Sequence, residues 1–310
     1  EYIKYKNTMA SVLSSSIKAN IFTMNVRGFD SVRHMYMFAN NIPESVYDSL
    51  IESIKARKDL LHRYVSLRKK VLGVDDFYAY DMHVPLIPDV NLKVSYSQAP
   101  EIVTSALNVL GEEYVSSLKT AIENRWIDPV ENQGKNSGAY ACSVYGVHPY
   151  VLMNWQDDIR SVSTLAHELG HAMHYKYTNQ TQPYVYADTP IFVAEVASTV
   201  NEVILNRYMS SNSQDDKMRA YILERGLRDF VSTVFRQTFF AEFEMKVYEK
   251  AENGEALTPE LLCELYASLL KEYYGPDYVV DENIAMEWAR IPHFYNPFYV
   301  YQYATGYSAA

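Results

Sequence analysis

Three histidines and a glutamate fall within the segment TLAHELGHAMHYKY, residues 164–177, which has helical character. A helix turns about 100° and rises about 1.5 Å per residue. His167 and His171 are therefore about 40° apart in azimuth and about 6 Å apart along the axis, close enough for both imidazoles to close on one metal ion. Glu168 stands beside the first histidine, where a general base would be needed. This is the H-E-x-x-H pattern of zinc hydrolases. His174 is about 10 Å along the axis from His167. A straight helix cannot bring all three onto one ion, so His174 reads as a packing or supporting residue.

The same five-residue pattern arises by chance in unrelated helices, so its surroundings decide. Val162, Leu165, Ala166, Leu169, Ala172 and Met173 supply apolar faces on several sides. A helix buried that way must satisfy its polar groups, and metal coordination does so. Gly170 lets another chain segment or a substrate approach closely, although glycine weakens a helix interior.

Catalytic zinc takes three protein ligands and keeps one position open. A third histidine at position 177 after a glycine at 174 is excluded, because those residues are His174 and Tyr177. The other source is a second helix. Glu195 lies in PIFVAEVASTVNE, residues 190–202, an acid in an otherwise apolar stretch. A lone carboxylate there is costly unless paired or metal-bound; the competing reading is a salt-bridged core acid. Glu202 is two turns further on the same face. It is either an acceptor for a ligand histidine or a solvent-facing acid.

These residues need elements to hold them. Residues 139–155 (AYACSVYGVHPYVLMNW) are rich in β-branched and aromatic residues and follow the loop GKNSG, so they read as a strand pair. Asp157 and Asp158 suit the N-terminus of the motif helix. Residues 191–208 read as an apolar helix. Helical patterns also cover 45–70 and 100–124, and 213–250 reads as one long helix. A helix starts at Thr258-Pro259 and ends at Gly275-Pro276. A short helix over 281–290 leads into a tyrosine-rich tail. The class is mainly α, with a small β-element before the metal helix. The division read from this pattern is a helical part over 1–75 and a metal-site region over 76–310.

The chain of 310 residues is 48% apolar, enough for a large core. A net charge of −10 argues against nucleic acid as the main partner. No apolar run is long enough to span a bilayer, and no signal-peptide pattern opens the chain. The two cysteines, Cys142 and Cys263, form no metal or redox motif. A reducing cytoplasm fits.

The stretches HELGHAMH, QPYVYADTPIFVAEVAST and HFYNPFYVYQYATGYSAA, with RGFDS near the start and SGAYACSVYGVHPYVLMNW before the motif helix, carry a wider resemblance. Together they resemble the oligoendopeptidase F branch of the M3 zinc metallopeptidases, along nearly the whole chain. The resemblance implies a helical zincin of the gluzincin type, cytosolic, that cuts short peptides with one Zn2+ held by His167, His171 and Glu195. Glu168 is then the base. It also implies that His293 and a tail tyrosine, Tyr303, stabilise the tetrahedral intermediate, with Tyr299 and Tyr301 contacting substrate or sharing the role. Gly138 and Tyr140 of the strand pair would meet the peptide backbone. Family enzymes are longer, so the chain reads as the catalytic part of a longer protein. Two rivals stay open: a zinc carboxypeptidase on a related helical fold, and a peptide-binding protein with a silent zinc site.

Overall fold

The computed structural model describes residues 2–88 and 93–310. In chain order the helices are α1 (Lys6–Arg27), α2 (Val32–Phe38), α3 (Glu44–Lys55), α4 (Lys58–Leu72), α5 (Ala99–Ala106) and α6 (Glu112–Glu123). They continue with α7 (Ile159–Thr181), α8 (Ile191–Asn212), α9 (Asp216–Phe230), α10 (Arg236–Glu252), α11 (Pro259–Tyr274), α12 (Glu282–Ala285) and α13 (Tyr301–Ala309). Between α6 and α7 lie β1 (Ile127–Asp128), β2 (Tyr140–Cys142) and β3 (Tyr150–Leu152). Among the described residues no helix is long and apolar enough to cross a membrane. The mainly α architecture with a small β-element agrees with the class read from the sequence.

The chain forms two compact units. One comprises Glu1–Leu86 and Phe230–Thr305, the other Ile87–Asp229 and Gly306–Ala310. In the first unit α10 and α11 pack on α1, α3 and α4, so much of the C-terminal half joins the N-terminal helices.

In the first unit the RGFDS segment joins two helices. Gly28 adopts a left-handed conformation at the end of α1, and Ser31 caps α2 by accepting from the His34 N–H. The run over 45–70 is two helices rather than one. Lys55 and Lys58 flank the break, and both pair with Glu272 of α11, at 3.3 and 3.0 Å. Buried acids in this unit have partners. Glu242 accepts from Lys55 at 2.7 Å and from the Tyr273 hydroxyl at 2.8 Å. Glu287 accepts from Arg236 and from the Tyr266 hydroxyl, each at 2.7 Å.

Glu244 is different. It accepts the Phe298 N–H at 3.0 Å, and burial pushes its carboxyl up to about 8, against the pull of that N–H. The unfolded chain ionises this group near 4.5. Across that window the unfolded state has released a proton the native state still holds, so stability falls as pH rises. Glu244→Gln keeps the acceptor and removes the ionisation. Between about pH 5 and about pH 9 the native chain is expected to lose on the order of 3 kcal/mol more than Glu244→Gln. Denaturant melts of both chains at the two pH values measure this; equal losses exclude it.

In the second unit α7 is the central element. Its Val162, Leu165, Ala166, Leu169 and Ala172 are fully buried, in one core with Val94, Val103, Leu118, Trp126, Val151 and Leu205. Asp158 caps it by accepting from the Ser161 N–H at 2.8 Å. The sheet order is β1-β3-β2, with β1 parallel and β2 antiparallel to β3, which leaves β2 at an edge beside α7.

Candidate metal centre

The packing of α7 on α8 builds the site. At Gly170 a Cβ would lie 2.6 Å from the Ala197 carbonyl oxygen and 2.7 Å from the Ser198 Cα. The segment that approaches Gly170 is thus α8, and only glycine permits it. Three residues on, Asn201 donates to the Ala166 carbonyl at 2.9 Å and accepts from the Tyr114 hydroxyl at 3.0 Å. These two contacts fix the register of α8 against the turn that bears His167.

That register brings His167, His171 and Glu195 together, with one donor atom from each lying within 4.8 Å of the others. The two Nε2 atoms are 3.1 Å apart, and Glu195 Oε2 is 3.6 Å from that of His167 and 3.7 Å from that of His171. Tetrahedral ligands at about 2.0–2.1 Å from a zinc ion are spaced about 3.3 Å from one another. The donor set fits such an ion in chemistry and in spacing. Among the described residues, the ion-pair partners of Glu195 within 4 Å are these two imidazoles, so no lysine or arginine pairs with it as a core acid.

Polar groups stand beside two of the three donors. Ser198 donates to Glu195 Oε2 at 3.1 Å, a contact the sequence reading missed, although the i, i+3 spacing on one helix was visible. Glu202 Oε1 lies 3.4 Å from His167 Nδ1, at the outer edge of hydrogen-bonding distance. Burial opposes charge on His167, but Glu202, with Glu168 and Glu195 behind it, outweighs burial and raises its pKa. Burial lowers His171 to about 4, helped by His167 and His174, which keeps that imidazole neutral, the form a metal needs. Tyr175, also unremarked in the sequence, lies parallel to His171 at 6.4 Å between ring centroids.

Glu168 is 6% exposed, and its Oε2 has no hydrogen-bond partner. Burial pushes its carboxyl up to about 7; His167 and the Ala141 N–H of β2 oppose this, while Glu195 and Glu202 add to it. A buried carboxyl with one oxygen unengaged beside a donor triad is suited to take up and return a proton.

Gly138 has a positive φ of 88°, with nothing within 4 Å of where a Cβ would be. Its carbonyl accepts from Asn154 at 2.9 Å. Tyr140 opens the edge strand and is exposed. His174 stands apart from the donor set. With Gly170, Met173, Tyr177, Val196 and Ala197 it lines a largely apolar cavity of about 510 Å³.

The tail candidates fall in the first unit. His293, Tyr299 and Tyr303 cluster there, with ring centroids 5.4–6.2 Å apart, and the Tyr303 hydroxyl donates to that of Tyr299 at 3.2 Å. Tyr301 does not join them. It is 2% exposed and packs on Tyr47 at 4.9 Å.

Residues 1–310 match peptidase family M3, and the chain belongs to it. Oligopeptidase PepF of Bacillus subtilis (strain 168) is 51% identical over 309 residues, covering 100% of this chain and 46% of its own. Oligoendopeptidase F, chromosomal, of Lactococcus lactis subsp. cremoris is 45% identical over 309 residues, covering 100% and 51%. The crystal structure of oligoendopeptidase-F from Enterococcus faecium superposes with a TM-score of 0.76 at 36% identity, covering 99% of this chain and 48% of that one. The chain spans about half the length of the curated relatives it matches.

Proposed function

We propose that the chain is the catalytic domain of a zinc-dependent endopeptidase that hydrolyses short oligopeptides in the cytoplasm. The observation that carries this reading is the His167–His171–Glu195 donor set with Glu168 buried beside it. One zinc ion bound there would acidify a water molecule and polarise the scissile carbonyl. Glu168 takes a proton from the attacking water and passes it to the leaving amine. Ser198 holds Glu195 in its rotamer, and Glu202 draws the His167 Nδ1 proton so that Nε2 presents its lone pair. The outer edge of β2, with Gly138 and Tyr140, accepts the substrate as an added strand, and Tyr299 contacts it too. His293 and Tyr303 supply donors to the developing oxyanion. Their clustering with Tyr299 and the family match support these roles.

A peptide blocked at both ends, compared with the same peptide left free at its C-terminus, tests the reading. Internal cleavage that a chelator stops and Zn2+ restores is expected. Cleavage confined to an unblocked C-terminus points to a carboxypeptidase, and zinc binding without turnover to a silent binder. Tyr303→Phe removes one oxyanion donor and is expected to lower kcat roughly 10²–10³-fold with little change in peptide affinity. An unchanged kcat with a loss in Tyr299→Phe would move the role to Tyr299.

A further inference from the structure

Gly306 is buried in the last turns of α13, in the same unit as α7 and α8. Its φ lies outside the left-handed region, so backbone freedom does not explain a glycine there. Space does. A Cβ at Gly306 would sit 3.1 Å from the Cβ of Glu195, 3.5 Å from its carbonyl carbon and 3.6 Å from the Val196 nitrogen. The first distance is tighter than ordinary van der Waals contact, so one side would have to give. Glycine also weakens a helix interior, a disadvantage that the close approach offsets.

Glu195 has little room to yield. On one side its carboxylate faces His167 and His171 and accepts from Ser198. Its helix is pinned to α7 by the Gly170 contact and by Asn201. Tyr307, the next residue in α13, lies within electrostatic reach of Asp229 and of Glu202, the acid behind His167.

We propose that Gly306 is a positioning residue for the third metal ligand: its missing side chain sets how closely its own backbone approaches Glu195, and hence where the Glu195 carboxylate stands relative to the two imidazoles. This rests on Glu195 being a ligand. A side chain at 306 displaces the backbone of residue 195 and spoils the spacing of the donors without removing any of them.

The test compares Gly306→Ala, Gly306→Val, Ala309→Val and Glu195→Gln in the full chain. Zn2+ affinity is read by chelator competition, ligand geometry by the absorption spectrum of the Co2+-loaded protein, and folding by melting of the metal-free form. Gly306→Val is expected to bind Zn2+ roughly 10–100-fold more weakly, in the range of losses seen when ligand-supporting contacts are removed, and Gly306→Ala less so. Both should shift the Co2+ spectrum. Ala309 is exposed on the same helix, and Ala309→Val should change neither. Where Gly306→Val fails to fold, Gly306→Ala decides. Lowered melting with Zn2+ affinity and Co2+ spectrum intact overturns the proposal, because it shows a packing role only. If Glu195→Gln loses zinc while the Gly306 variants keep it, the positioning role alone falls. If Glu195→Gln keeps zinc, the ligand assignment falls and this inference with it.

Discussion

Glu168→Gln is expected to keep stoichiometric zinc and peptide binding while hydrolysis slows by roughly 10²–10⁴-fold or more. Glutamine fills the same space in the buried first half of α7, where Leu165, Ala166 and Leu169 are 0% exposed, so the fold should tolerate it. The amide cannot take up a proton. Glu168 also lies outside the donor set, which comprises His167, His171 and Glu195, so the metal should stay. Elemental analysis, equilibrium peptide binding and single-turnover hydrolysis separate the possibilities. Zinc loss would make Glu168 a ligand, and near-normal turnover would place the base elsewhere.

The expected fall in rate depends on a placement that was largely legible in the sequence. The apolar periodicity around His167 and the acids at 157–158 defined α7, and in the structure its core face is buried and Asp158 caps it. That face is local information carried by side-chain spacing. Other features depend on partners distant in sequence. Strand β1 is two residues long and pairs with β3 in parallel, too short for any alternation to show. The π-helical turn over Val231–Phe235 adds one residue per turn inside a continuous helix, which a 3.6-residue period cannot reveal. Gly170 was recognisable as a point of close approach, but its partner Ala197 was not. Tyr299, Tyr301 and Tyr303 alternate like one face of a strand. The chain turns helical at Tyr301, which sends that ring against Tyr47 and leaves the other two with His293.

Glu195→Gln should lose most of the bound zinc and with it all metal-dependent hydrolysis. The carboxylate supplies the negative charge of the donor set, and a neutral amide is a much poorer ligand for a divalent ion. The amide is nearly isosteric and can still accept from Ser198, so folding should change little. A core acid held only by ion pairing would give the opposite pattern, with lower thermal stability and full zinc content. The histidines supply an internal control on the same helix. His171→Ala removes an atom that faces both other donors, at 3.1 and 3.7 Å, and should empty the site. His174→Ala alters only the lining of the apolar cavity behind it and should retain zinc. Metal content and melting temperature measured on all three variants test the assignment as a set. Equal zinc loss from His171→Ala and His174→Ala would break it, since helix geometry does not let both residues, seven and four positions from His167, share one ion with it.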